Sequence, residues 1–374
     1  MSTVGTSYEE REALRASLRS FFARYSPETE VRRLMATSEG YDPAVWRRMA
    51  TELGLQAMAV PEQFGGSGFG AAELQIVMEE MGRALVCVPF FASAVLATNL
   101  LLSSGDTAAC QQVLPGLGDG SLIATVAATG ASGAWNTPDV WEAVATPDGG
   151  GWTITGRKTF VPDALAAGLL LVTAQSPDGP SVFLVKAAAA GVGRQPMVTV
   201  DETRKQGTVE LTSAAAQLVG PAGRGAEILQ RALVLSAVAL AGEQAGGARR
   251  ALEIAVEYAK VREQFGRVIG SFQAIKQKCA DVLLSVEAAT STARAAAEAI
   301  DTHSEEYVAL AHLALGLTSE SYVYAATENV EVHGGIGFTW EASAHLYYKR
   351  AIAGTTLLGS PTAQRAALLT AMGR

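Results

Sequence analysis

Two stretches in the C-terminal third carry side chains able to grip an anion. The first, Tyr258-Ala-Lys-Val-Arg-Glu-Gln-Phe-Gly266, continues to Gln273; the second is Glu331-Val-His-Gly-Gly-Ile-Gly-Phe-Thr-Trp-Glu341. Arg262 offers a planar guanidinium fork for phosphate oxygens, and Gln264 and Gln273 offer amides. Gly266 ends a helical turn so that the chain can pass beside a ligand, with Phe265 next to it. Gly334, Gly335 and Gly337 expose backbone N–H groups. Together these are the parts that hold the diphosphate of a dinucleotide; each alone reads equally as a helix end with a C-cap glycine. The glycine run follows no strand, so a Rossmann site is the wrong template.

The elements that must position these residues follow from periodicity. At 374 residues, almost half of them apolar, the chain has material for two or three units around a large core. From Tyr8 to about Leu117 apolar residues recur at helical spacing, as in Leu14, Leu18, Phe21 and Phe22, or Leu74, Ile76, Val77, Met81 and Leu85. The segment from Pro61 to Gly68 interrupts them with glycines, where backbone bends or approaches something closely. Between about Ser121 and Gly220 short β-rich runs appear at 122–126, 152–155, 169–173, 181–185 and 208–211, separated by Gly, Pro and Asp. After Pro221 helical, alanine-rich texture returns to the end. The expectation is an α+β chain: a helical N-terminal domain (1–118), a central antiparallel β domain (119–220) and a C-terminal helical bundle (221–374).

Composition narrows the partners. Formal charge is −8, and no Lys/Arg run interleaved with aromatics argues for nucleic acid. Cys87, Cys110 and Cys279 are scattered, which reads as packed, reduced thiols. His333 and His345 stand twelve apart without a carboxylate–cysteine set, so packing or helix-end hydrogen bonding is expected of them and no metal is expected. The N-terminus turns polar at once, without the apolar core of a secretory signal. The most apolar stretch, 232–241, is bounded by Arg231 and Glu243 and is shorter than a bilayer requires. A cytoplasmic protein without a membrane segment is the expectation.

The paired C-terminal stretches closely resemble the flavin-binding signature of the acyl-CoA dehydrogenase family. The likeness extends to Val60-Pro-Glu-Gln-Phe-Gly-Gly-Ser-Gly68, to Gly156-Arg-Lys-Thr-Phe-Val-Pro162 and to Val219-Gly-Pro-Ala-Gly-Arg-Gly225. It implies a C-terminal four-helix bundle, an FAD cofactor, an acyl-CoA substrate, an electron-transfer flavoprotein as acceptor and a homo- or hetero-oligomer, tetrameric by analogy. It also implies that Arg262, Gln264, Phe265, Gly266, Gln273, Glu331, Gly334, Gly335 and Gly337 reach the adenosine-diphosphate end of FAD, with Thr129 and Phe160 near the ring.

The family's α,β-desaturation needs a carboxylate base, a flavin and hydrogen bonds to the thioester oxygen. Here the two positions at which relatives place the base read Leu358 and Ser236, and neither is a carboxylate. Glu243 lies seven residues after Ser236, two turns along the same face, among small residues. It is the candidate base; the competing reading is a structural Glu paired with an Arg such as Arg249 or Arg250. Only Thr129 survives from the run that relatives carry beside flavin and thioester. Phe160 and Pro162 replace a Trp and a Thr, and Pro162 has no N–H to offer. Glu331 replaces a Gln, placing an acid near a diphosphate. These departures resemble actinobacterial-type heterotetramers that act on steroid side chains or other bulky thioesters. Two readings therefore stand: a dehydrogenase subunit, or a non-catalytic partner that completes the FAD site of a paralogous chain. Within the fold, a relative using oxygen or a nitro compound is a third.

Overall fold

The computed structural model describes residues 6–373; residues 1–5, part of the polar N-terminal opening, and residue 374 lie outside it. The described chain begins with α1 (Tyr8–Tyr25), α2 (Glu28–Met35), α3 (Pro43–Thr51), α4 (Ala71–Arg83), α5 (Thr98–Ser104) and α6 (Thr107–Gly118). Strands β1 (Ala124–Ala127), β2 (Val144–Asp148), β3 (Gly151–Pro162), β4 (Leu169–Ser176), β5 (Gly179–Lys186), β6 (Val192–Pro196) and β7 (Gln206–Val219) follow. Then come α7 (Gly225–Val261), the short strands β8 (Glu263–Gln264) and β9 (Arg267–Val268), α8 (Gln273–Asp301), α9 (Tyr307–His333), α10 (Ala344–Gly354) and α11 (Pro361–Ala371). Helices, strands, helices is the observed order.

The described residues pack as two compact units: Arg32–Phe69 with Cys87–Ser236, and residues 6–31 with Gly70–Val86 and 237–373. In the first unit, β4 is buried along nearly its whole length, as its unbroken Leu-Leu-Leu-Val start requires. The sheet runs β1-β4-β2-β3-β7-β5, and β5 also pairs with β4, closing a ring that leaves few exposed edges. Five pairings are antiparallel, as expected, but β1 and β2 both run parallel to β4, which alternation alone does not announce. β2 and β6 had no sequence signal: each ends in or contains proline and is largely exposed. The 61–68 glycine loop is a close approach, since a Cβ on Gly66 would lie 1.9 Å from the Val60 carbonyl oxygen.

In the second unit, α1 starts at a capping box made by Ser7 and Glu10 and buries Leu18, Phe21 and Phe22. The Asp301 carboxylate accepts from the N–H groups of Ala71 (2.7 Å) and Ala72 (2.9 Å), capping α4 from the end of α8. Glycines let α4 and α7 meet backbone to backbone. A Cβ on Gly82 would sit 2.0 Å from the Glu243 carbonyl oxygen, and one on Gly246 1.8 Å from that of Glu79. Gln244 on α7 accepts from both Thr318 and Ser319 of α9, each at 2.9 Å. α8, α10 and α11 also pack on α9, which makes α9 the centre of the C-terminal helical bundle.

Among the described residues α7 is the one helix long and apolar enough to cross a membrane by length and composition. The apolar run 232–241 lies inside this longer helix, where small residues extend it. Two-thirds of its apolar window (67%) is buried against protein, the setting of a core helix.

Candidate functional site

The end of α7, the start of α8 and the end of α9 share a small apolar core. Ala255, Ala259 and Val332 are its buried centre, with Tyr258, Ile269 and Ile275 packed against it. The Tyr258 ring stacks on His333 with centroids 4.1 Å apart. That core brings Arg262, Gln264, Phe265, Gly266 and Gln273 to the same end of the unit as Glu331, Gly334, Gly335 and Gly337.

Between β8 and β9 the turn consists of Phe265 and Gly266, with φ of 55° and 74°. Positive φ at both central residues is the type I′ geometry that suits a two-residue hairpin. Phe265 bears the strain of that geometry and is 90% exposed, touching the Phe272 ring edge-on at 6.0 Å. Arg267 lies over Phe272 at 4.1 Å, whereas the exposed Arg262 guanidinium makes no bond to protein among the described residues. Gln264 donates to its neighbour's carbonyl, on Glu263. α8 begins at Gln273 with no side-chain cap, so its first-turn N–H groups and positive dipole end face outward beside the hairpin. Gly266, Gly334 and Gly335 have open space where a Cβ would be.

The fit to a dinucleotide tail is therefore good on this face: an uncommitted guanidinium, uncapped amides and unobstructed glycines. Most of these residues are legible in the sequence, but the amides of the α8 N-terminus are not; their signal is Phe272 at the cap position, with Ser271 turned to the Val268 carbonyl. His333 donates through Nδ1 to the Asn329 carbonyl at 2.8 Å, the helix-end role expected of it, and burial pushes its pKa down.

Glu243 is 5% exposed on α7, with Oε1 3.6 Å from Nε of the equally buried Arg350 on α10. Its arginine partner is thus neither Arg249, which pairs with Glu287, nor Arg250, which pairs with Glu253 and Glu257. Arg249 lies on another face of α7; Arg250 shares the face of Glu243 but stands two turns further on, about 10 Å along the axis, where Glu253 and Glu257 are its neighbours. Leu358 is buried in a left-handed conformation (φ 62°), and its carbonyl accepts from Gln364. Ser236, fully buried in the first unit, accepts from Asn99 at 3.1 Å.

In the first unit the Thr129 hydroxyl donates to the Thr159 carbonyl, and the Thr159 N–H returns a bond to the Thr129 carbonyl. Phe160 also has positive φ (52°), at a register shift between β3 and β7. Its N–H donates to the Met197 sulfur at 3.2 Å, and its ring lies so close to Gly133 that a Cβ there would stand 2.7 Å away. Beneath this loop the buried Lys158 ammonium donates to the carbonyls of Val140 (2.6 Å) and Ala128 (3.0 Å) and to the Thr173 hydroxyl (3.1 Å). Lys158 thereby ties both ends of the 128–140 loop to β3 and β4.

A helical region, a ring-closed β domain and a helical bundle bearing an anion-ready end define an acyl-CoA dehydrogenase-type architecture. Residues 8–121 match the acyl-CoA dehydrogenase N-terminal domain and residues 223–373 the acyl-CoA dehydrogenase C-terminal domain. The acyl-CoA dehydrogenase IpdE2 of Mycobacterium tuberculosis is 33% identical over 356 residues, 95% of each chain. Among solved structures, a variant of the Tcur3481-Tcur3483 steroid ACAD aligns with TM-score 0.87 and 32% identity, covering 98% of each chain. The ChsE4-ChsE5 complex from Mycobacterium tuberculosis aligns with TM-score 0.87 and 29% identity over 99% of this chain and 98% of that one. The chain belongs to the acyl-CoA dehydrogenase family, flavoprotein oxidoreductases acting on the CH–CH bond of acyl-CoA.

Proposed function

We propose that this chain is a subunit of an oligomeric, FAD-dependent acyl-CoA dehydrogenase acting on a bulky thioester, with an electron-transfer flavoprotein as acceptor. The observation that carries the reading is the exposed Arg262 guanidinium beside the uncapped start of α8 and the open glycines. Arg262 would pair with diphosphate oxygens in a forked geometry, and the α8 N–H groups and Gln273 would add donors. Phe265 would be covered by whatever completes the site, since a ring so exposed on a strained turn gains nothing from solvent. When bound, FAD supplies the hydride acceptor. Glu243 is this chain's proposed base, the task being removal of the proton next to the thioester carbonyl.

A second reading has its own support: the chain lends tail contacts to a paralogous dehydrogenase and contributes no base. Leu358 and Ser236 cannot accept the α proton as a carboxylate would. On the ring-side strand, Pro162 has no N–H and that of Phe160 is taken by Met197. The steroid ACAD and ChsE4-ChsE5 relatives carry paired names, which suits two unlike chains.

Both readings require the Arg262 face, so Arg262→Gln tests them together. Hydrogen bonds between charged groups are each worth about 1.5–3 kcal/mol, so FAD affinity should fall roughly ten- to a hundredfold while the apoprotein melts unchanged. Unchanged FAD affinity would refute the tail site.

A further inference from the structure

The replacement of a Gln by Glu331 ahead of the glycine run raises a charge problem. Glu331 stands in the last turn of α9, whose C-terminal end carries the negative pole of the helix. Glu328 lies one turn earlier, and a diphosphate would add further negative charge. Two carboxylates and a helix C-terminus would repel it; unit charges about 4 Å apart interact appreciably even near a solvated surface.

One cation answers both acids. Lys278, on the second turn of α8, places Nζ 2.5 Å from Oε2 of Glu328 and 2.7 Å from Oε2 of Glu331. The hydrogen bond to Glu328, followed by that to Glu331, holds its ammonium charged well above the usual lysine range. Lys278 is partly exposed, so the ammonium remains at the surface beside α9's final turn.

We infer that Lys278 is a positioning residue of the nucleotide-tail site, the counter-charge that makes Glu331 compatible with a bound diphosphate. The inference rests on the tail-site reading above. Its ammonium offsets Glu331, ties that carboxylate to α8 and opposes the negative pole of α9. An amide at position 331 would make this service unnecessary.

The test is a double-mutant cycle on the holoprotein, purified with any co-purifying subunit, stripped of flavin and titrated with FAD. Lys278→Gln should weaken FAD binding by roughly tenfold, the scale of one uncompensated charge in a partly solvated site, and raised salt should shrink the loss. Glu331→Gln should bind at least as tightly as the wild type. The double variant should recover the share of the lost affinity that is due to Glu331, since Glu328 remains in both. Thermal unfolding of the apoproteins separates this from a structural role: the exposed Glu331 arm adds little to stability and the largely buried Glu328 arm is lost equally in Lys278→Gln and in the double variant, so those two should melt alike while their FAD affinities differ. Unchanged affinity in Lys278→Gln, or a loss that persists in full in the double variant, overturns the inference. An Arg262→Gln arm distinguishes the two levels: if that variant also binds FAD normally, the tail site fails and this inference with it. If only the Lys278 cycle fails, the tail site stands.

Discussion

Lys158 has no exposed surface, and burial lowers its pKa from 10.5 to about 7, an effect that Asp139 and Glu142 partly offset. In the unfolded chain the same amine holds its proton to the higher value. Between about 7 and 10.5 the unfolded state therefore binds more protons, and stability rises with pH across that window. The contribution is complete above the unfolded value and is lost as pH falls through the folded one. Lys158→Met should abolish this rise in a pH series of urea denaturations. It should also cost about 1–3 kcal/mol at high pH, because the Ala128 and Val140 carbonyls lose a buried donor. A variant with an unaltered pH slope would show that Lys158 stays protonated throughout.

Glu243 poses the other question at this scale: base or counter-ion to Arg350. Removing one member of a buried ion pair costs about 3–5 kcal/mol, whereas removing both can be nearly neutral. Arg350→Met should thus destabilise strongly, and Glu243→Gln/Arg350→Met should regain much of the loss. Glu243→Gln alone decides the catalytic role: turnover near the wild-type rate removes it as base, and loss of turnover with a preserved fold and flavin keeps it.

At the scale of elements, the α4–α7 contact rests on glycines rather than on side-chain ridges. Gly246→Ala would force a methyl into the Glu79 carbonyl and should cost about 1–3 kcal/mol or more in chemical denaturation. Ala at Gly266, which faces open space, would be strained only by its positive φ and should cost less. An equal cost at both sites would mean that α4 and α7 can shift apart freely.

Such contacts also show where sequence reading ends. The helix of Leu18, Phe21 and Phe22 was legible because burial of one face imposes a 3.6-residue period, whereas α4 is buried on every face from Ala72 to Gly82 and only its apolar residues carried the pattern. The β4 and β5 runs were legible from their β-rich apolar content. The parallel entry of β1 and β2 was not, because pairing direction leaves no local mark. Nor was the packing of α1 and α4 with the C-terminal helices, since Asp301 capping Ala71 and Ala72 is separated from them by more than half the chain. In the site, Arg262, Phe265 and the glycines were readable as motif residues. The Lys278–Glu331 pair was not, because α8 and α9 meet only through tertiary packing.

For the whole molecule, the candidate tail residues are exposed apart from the buried Gly337, with Phe265, Phe338 and Trp340 open to solvent at 90%, 73% and 62%. Exposed aromatics around a cationic fork are more consistent with half of a shared site than with a closed pocket. The most direct test is the flavin-to-polypeptide ratio of this chain purified alone and with a paralogous acyl-CoA dehydrogenase chain, each as wild type and Arg262→Gln. A yellow assembly is expected, its flavin lost or sharply reduced when Arg262 is replaced. Full flavin occupancy in the Arg262→Gln protein, alone or in the assembly, would contradict it.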